Sequence, residues 1–303
     1  MNKNTQALVF PINAKRELIL KSIKNLSYFV YFMRNISKSS VKYPFYLKGN
    51  PNEDEGAIFI QIFDEYIKVY SKIKTMIETD YFVRIIYEAY KTIPTSFEFE
   101  YIITIFFTGF EKCFLVSNFR YSKKISLPKP SISDERQKRV KLFLNIQRKL
   151  IENELNKFNI EEILINAPFK LVFDIFLNFK LVNKYIKIFG KIIEYNGNII
   201  KDNMIVNIIG KENLLLTVKI EKIEKNEKEC LIQFTKEYNN EINKQEKIIF
   251  LIYGEGQKTM IYMMNFFNYF LSDDNLKKLT TDKKNMLYKL KTIIENYLKS
   301  QRK

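Results

Sequence analysis

The sequence predicts two tandem copies of one α+β unit, each an antiparallel sheet closed by a long C-terminal helix. Three observations carry this. First, the chain repeats itself: Leu18, Ile19, Leu20, Ile23, Asn25 and Phe32, which follow Ile12-Asn13-Ala14, meet Leu171, Val172, Phe173, Phe176, Asn178 and Tyr185, which follow Ile165-Asn166-Ala167, at an offset of 153. Further on, the Gly109 turn matches Gly254 at an offset of 145, and Leu150–Asn153 matches Ile293–Asn296 at 143. A period this long marks tandem domains, since solenoid repeats run roughly 20–50 residues. Second, the apolar period in each copy passes from helical to alternating and back to helical. Third, 303 residues is enough chain for about two domains. The copies are expected at 1–157 and 158–303.

Each copy opens with a short strand-like run, Ala7–Pro11 or Ile160–Asn166. A helix is predicted next. Leu18, Ile19, Ile23, Leu26, Phe29, Val30 and Met33 fall at helical spacing in the first copy, as do Leu171, Val172, Ile175, Phe176, Phe179, Val182 and Ile186 in the second. Pro168 suits a first helical turn. Strands follow. Phe97, Phe99, Tyr101, Ile103, Ile105 and Phe107 alternate with Glu98, Glu100, Ile102, Thr104, Phe106 and Thr108; in the second copy Leu214, Leu216, Val218 and Ile220, then Cys230, Ile232 and Phe234, keep the same period. Gly109 and Gly254-Glu-Gly256 read as hairpin turns, so the strands form an antiparallel meander. Met260–Phe267 is apolar on both faces and is expected to pack on both.

A closing helix ends each copy. Pro128-Lys-Pro130 breaks the first sheet, and Asp134 with Gln137 forms a capping pair. Val140, Phe143, Leu144, Gln147, Leu150 and Ile151 then trace one face; Met286, Leu287, Leu290, Ile293, Ile294 and Tyr297 do so in the second copy.

Lys+Arg exceed Asp+Glu by 50 to 34, a net +16, and eight of those cations are Arg. Residues 1–150 hold 25 basic and 14 acidic side chains, and residues 151–303 hold 25 and 20. Abundant Lys, Ile, Asn, Phe and Tyr match an AT-rich codon habit, and the ordinary reading of the lysines is a solvated surface. A basic surface attracts anionic membranes or nucleic acid. Nucleic acid is disfavoured as a partner because Arg, the usual reader of base edges, is scarce and no binding motif is present. The first 17 residues lack the apolar core of a secretion signal, no apolar run is long enough to span a bilayer, and Asn2 excludes myristoylation. Cys113 and Cys230 sit one per copy in strand-like patterns, which reads as two core thiols in a reducing cytoplasm.

Strand, helix pair, curved antiparallel sheet, long C-terminal helix: this order resembles the helix-grip fold of the START-like (SRPBCC) superfamily, typified by the birch-pollen allergen. Ile165-Asn-Ala-Pro-Phe-Lys-Leu-Val-Phe-Asp-Ile-Phe176 is similar to that superfamily's opening motif, and the Gly197 turn and a helix over 275–299 fit it. The first copy departs from it, with Lys15 in place of Pro168 and an enlarged loop around Lys38–Gly56. The resemblance implies a curved sheet gripping its C-terminal helix, a space between them for a hydrophobic ligand, and no required cofactor.

Zero histidine removes the commonest general base and metal ligand, and two separated cysteines exclude a thiolate zinc site. Glu53-Asp54-Glu55 and Asp273-Asp274 read as solvated or helix-start carboxylates. What remains is apolar area, worth roughly 25 cal/mol per Å² removed from water, in a pocket of the kind hydrophobic ligands need. The candidate lining in the first copy is Tyr87, Phe99, Tyr101, Ile103 and Ile105, facing Phe143, Gln147 and Leu150. In the second it is Leu216, Val218, Ile232, Phe234, Phe250 and Ile252, facing Leu287, Leu290 and Ile294. Large residues here also serve as plain core. The function expected is non-catalytic binding or intracellular transfer of a hydrophobic small molecule or lipid, with a basic surface for anionic membranes. A protein-interaction or chaperone-assisting module with a filled groove is the alternative, and a histidine-independent enzyme of the cyclase type is a third reading.

Overall fold

The computed structural model describes residues 5–13, 16, 19–20, 24–37, 42–63, 67–94, 98–109, 112–121, 157–178, 191–195, 200–209, 215–239, 244–269 and 271–301. The chain divides into two compact units, Met1–Leu155 and Asn156–Lys303. The fold class is α+β, with one antiparallel sheet per unit. No helix among the described residues is long and apolar enough to cross a membrane.

The first unit contains β1 (Thr5–Ile12), α1 (Leu26–Ser37), β2 (Phe45–Lys48), β3 (Ile58–Phe63), β4 (Ile67–Glu78), β5 (Phe82–Ile93), β6 (Phe99–Gly109) and β7 (Lys112–Tyr121). Its sheet order is β1-β7-β6-β5-β4-β3-β2. Asn25 caps α1, its Oδ1 accepting from the Ser27 and Tyr28 N–H groups at 2.9 and 3.3 Å; this satisfies two donors that a helix start leaves orphaned. The enlarged loop expected at 38–56 holds β2. Within it Asp54 and Glu55 serve the backbone, accepting from the Asn50 and Met76 N–H groups at 2.8 and 2.6 Å. The closing helix predicted from Asp134, with Phe143, Gln147 and Leu150, lies outside the described residues.

The second unit contains β8 (Phe158–Ile165), α2 (Phe169–Leu177), β9 (Lys191–Tyr195), β10 (Ile205–Ile209), β11 (Leu215–Lys225), β12 (Glu229–Tyr238), β13 (Gln245–Glu255), β14 (Lys258–Phe267) and α3 (Asp273–Gln301). Its sheet order, β8-β14-β13-β12-β11-β10-β9, reproduces that of the first. α2 ends at Leu177, and Phe179, Val182 and Ile186, which continue the predicted helical stretch, lie outside the described residues. Ser272 caps α3, its Oγ accepting from the Asn275 N–H at 3.3 Å. α3 packs along β8 and turns Met286, Leu287, Leu290 and Ile294 into the core. Tyr297, expected on that face, is exposed, so the apolar stripe is narrower than the sequence implied.

The repeat goes deeper than topology. Both first edge strands end on the matched pair Ile12 and Ile165. β4 carries a register shift between Ile73 and Thr75, and β11 carries one between Ile220 and Lys222. In each case a left-handed residue, Gly56 (φ 77) or Asn203 (φ 60), donates its N–H to the bulged strand, to Ile73 O at 2.7 Å or Ile220 O at 2.9 Å. One extra residue bends and twists a strand, so both sheets bend at the same place. The turn before β5 and the turn before β12 also match. Thr79 Oγ1 and Asn226 Oδ1 each accept the N–H groups two and three residues on.

These pairs fix the alignment of the copies at an offset of 147 (Gly56 with Asn203, Thr79 with Asn226), which sets Phe107 against Gly254. The sequence match of Gly109 to Gly254 is therefore two residues out of register. Gly254 is not a hairpin-turn residue: it lies inside β13, paired with Thr259, and the tight turn is made by Gly256 (φ 61). Packing is why Gly254 is a glycine, since a Cβ there would lie 2.4 Å from the Cβ of Phe169. In the first copy the same contact is inverted: Phe107 fills the position, and the Arg16 guanidinium lies 4.6 Å from its ring centroid.

Candidate functional site

Cross-strand register decides which side chains share a face. In the first unit Tyr87 pairs with Tyr101, Ile85 with Ile103, Val83 with Ile105 and Ala89 with Phe99. The five strand residues predicted to line a cavity there therefore share one sheet face. Ile103, Ile105 and Tyr87 are buried; Phe99 and Tyr101 are half-buried. Tyr87 stacks on Tyr101 at 6.1 Å and meets Phe59 edge-on at 6.3 Å. Burial, then Tyr101, pushes its hydroxyl pKa up, so it stays neutral.

In the second unit all nine predicted residues come together. Leu216, Val218, Ile232, Phe234, Phe250 and Ile252 from the sheet and Leu287, Leu290 and Ile294 from α3 belong to one buried cluster. Phe250 is its hub, with Phe176 of α2 at 4.8 Å and Phe234 at 5.8 Å, both edge-on. Aromatic pairs in that geometry add about 0.5–1.5 kcal/mol beyond area burial. Cys230 is a free, fully buried thiol in the same cluster. Burial, opposed by Lys225 and aided by Glu229, raises its pKa to about 12, so it acts as a small hydrophobe.

One end of this interior is charged, and the sequence reading missed it. Glu246, 1% exposed, sits on β13 two residues before Ile248 on the core-facing side. Its Oε2 accepts from Lys236 Nζ of β12 at 3.3 Å, and its Oε1 from Lys283 Nζ of α3 at 3.4 Å. Lys283 is 7% exposed. Lys236 also donates to the Tyr238 hydroxyl at 3.0 Å, and the Tyr238 ring meets Tyr269 edge-on at 6.4 Å. On β14, Asn265 lies between Ile248 of β13 and Asn159 of β8. Asn159 is held from α3 by the Thr280 hydroxyl at 3.3 Å. Asn265 is fully buried, and neither its amide nitrogen nor its oxygen has a hydrogen-bond partner among the described residues.

The electrostatics follow from burial and pairing. Burial alone would raise the Glu246 carboxyl; Lys283 and Lys236 together outweigh it and hold the pKa below its ordinary value. Burial lowers the Lys283 ammonium, against the opposing pull of Glu246. Burial, with Tyr238 and Glu246, raises the Tyr269 hydroxyl. The cluster thus joins two cationic side chains and one carboxylate, and register sets the unsatisfied Asn265 amide diagonally across the β13–β14 pair from Glu246.

A signal for this cluster exists in the sequence. Lys236 continues the alternation of Cys230, Ile232 and Phe234; Glu246 starts that of Ile248, Phe250 and Ile252; Lys283 falls seven residues from both Leu276 and Leu290. Three charged residues on the apolar phase of three elements point inward, yet in a lysine-rich chain they pass as surface. The acidic residues weighed from the sequence, Glu53 to Glu55 and Asp273-Asp274, are not in it. Among the described residues no group of three His, Cys, Asp or Glu is placed to hold a metal ion.

No family model and no curated protein matches the sequence. Solved structures do. A START superfamily protein from Mycobacterium smegmatis is 11% identical over 49% of this chain and 97% of its own, with a TM-score of 0.39. The di-domain ARO/CYC StfQ from the steffimycin biosynthetic pathway is 7% identical over 98% of this chain and 96% of its own, TM-score 0.42. Major latex-like protein 151 from Panax ginseng is 13% identical over 50% of this chain and 99% of its own, TM-score 0.37. The second unit packs an antiparallel sheet against its C-terminal helix. Residue roles do not transfer at such identities, and the site stands on its own geometry.

Proposed function

We propose that the chain is a tandem START-like protein that binds a hydrophobic small molecule or lipid without chemical conversion, in the grip between sheet and α3 of the second unit. The observation that supports this is Asn265: a fully buried amide, unpartnered among the described residues, beside a Lys–Glu–Lys cluster at the end of an otherwise apolar interior. Buried polar groups are nearly always satisfied, and leaving one unsatisfied costs about 1–3 kcal/mol. A molecule with an apolar body and a polar end supplies the missing partner. Met204, Met263 and Met286 in the cluster are unbranched and repack around a guest. The setting we propose is the cytoplasm, with the net positive charge assisting docking on anionic membranes.

Native mass spectrometry of the expressed protein, with lipid extraction, tests the reading. A co-purified lipid at defined stoichiometry is expected. A clean unliganded mass that stays clean after incubation with liposomes would sink it.

A further inference from the structure

We propose that Lys283, Lys236 and Asn265 bind the carboxylate of a single-chain amphiphile whose tail lies among the core residues of the second unit; this rests on the binding reading above. Charge is the first argument. Two ammonium groups, the buried Lys283 and the half-buried Lys236, face the buried Glu246 carboxylate, so these three groups carry one positive charge in excess. Buried charge is tolerated when paired, and a monoanion closes the balance. A phosphate dianion would overshoot it, and a neutral head group would leave it open.

Hydrogen-bond inventory is the second argument. A lysine ammonium has three donors and an amide has two. Lys283 donates to Glu246, and Lys236 to Glu246 and Tyr238. Asn265 adds donors with no acceptor among the described residues. Donors outnumber acceptors in the cluster even with the unpartnered Asn265 Oδ1 counted, and a carboxylate accepts on two oxygens where an alcohol accepts on one. Placement is the third. Lys283 lies one helical turn before Met286 and Leu287, and Glu246 and Asn265 flank Ile248, so a head group held here points its chain into the apolar cluster.

The first unit supplies the contrast. Ala89 and Phe99 form the cross-strand pair equivalent to Lys236 and Glu246, and Phe119 stands where Asn265 does. Among the described residues the carboxylate site has no counterpart in the first unit.

Titration calorimetry of the full chain with dodecanoate, 1-dodecanol and acetate, on wild type and Lys283→Met, tests this. One dodecanoate per chain is expected, about tenfold or more tighter than dodecanol, as a charge-assisted hydrogen bond implies. Acetate, lacking the tail, should not bind measurably. Lys283→Met should lose about tenfold for dodecanoate and leave dodecanol unchanged within about twofold. Equal wild-type affinity for dodecanoate and dodecanol overturns the carboxylate and leaves the binding reading standing, even if the variant fails to fold. Dodecanoate binding that Lys283→Met leaves intact moves the head group elsewhere and overturns the site. Acetate binding as tight as dodecanoate overturns the amphiphile. If neither long-chain probe binds, the binding reading itself fails.

Discussion

The two units share a sheet order, a bulge, a left-handed residue before it and a matched turn, yet at one end of the sheet they bury opposite chemistry. Across the β5–β6 pair the first unit sets Ala89 against Phe99; across β12–β13 the second sets Lys236 against Glu246. The scaffold tolerates both because backbone pairing is indifferent to side chains, whereas the interior is not. Charge inside the second unit is stable only as a set, with α3 contributing Lys283 to the sheet's pair. Shared architecture does not imply shared contents: among the described residues the charged set is in the second unit.

The largest effect should come from breaking that set. Glu246→Leu strands the buried Lys283 ammonium and the half-buried Lys236 and should destabilise the second unit by about 3–5 kcal/mol. Phe99→Leu, at the equivalent place in the first unit, should lose no more than about 1.5 kcal/mol; urea unfolding of both variants reads the difference. Equal losses would mean that the lysines reach water. The same carboxylate gives a pH signature. Its folded pKa is depressed, so its contribution is present above the unfolded value of about 4.5 and is lost as pH falls through the folded value. Urea midpoints measured below pH 5 should therefore fall in wild type, and fall less in Glu246→Gln. Glu78 in the first unit is depressed by Lys24 and Arg16 in the same direction, but it is partly exposed and its share should be smaller.

The inverted contact comes next. Gly254→Ala drives a methyl into Phe169 and should cost about 1–3 kcal/mol. Combining it with Phe169→Ala should recover part of that loss, a non-additivity that a double-mutant cycle measures; simple additivity would show that Phe169 moves aside freely. The smallest effect separates the two left-handed residues. Gly56→Ala at φ 77 should cost about 1–2 kcal/mol, while Asn203→Gly should change stability by only a few tenths, because Asn already tolerates that conformation. Thermal melts that rank these two the other way would remove the equivalence of the bulges.

Much of the fold was legible. Alternation at Phe99–Phe107, Leu216–Ile220 and Cys230–Phe234 placed strands and their inward faces, because a sheet has one apolar side and a period of two. The opening repeat at Ile12 and Ile165 was legible from its matched residues, and the helix predicted over 275–299, observed as Asp273–Gln301, from its helical spacing. The slip at Gly109 was not: a glycine is conserved in meaning only by its surroundings, and Gly254 answers to Phe169, a residue far away in sequence. Short strands such as β2 and β9 carry too few residues to show a period.

By itself, then, the amino-acid sequence determined the doubling of the chain, the order of its strands and helices, and the apolar phase of each. These are local or periodic properties, written residue by residue. Only the tertiary structure decided that Lys236, Glu246 and Lys283 meet, that Asn265 lies buried beside them, and that Phe107 and Gly254 occupy one position. A charge's meaning depends on what three separate elements bring to it, and in water a lysine on a strand, a glutamate on its neighbour and a lysine on a distant helix have no reason to associate. Burial between sheet and helix supplies that reason.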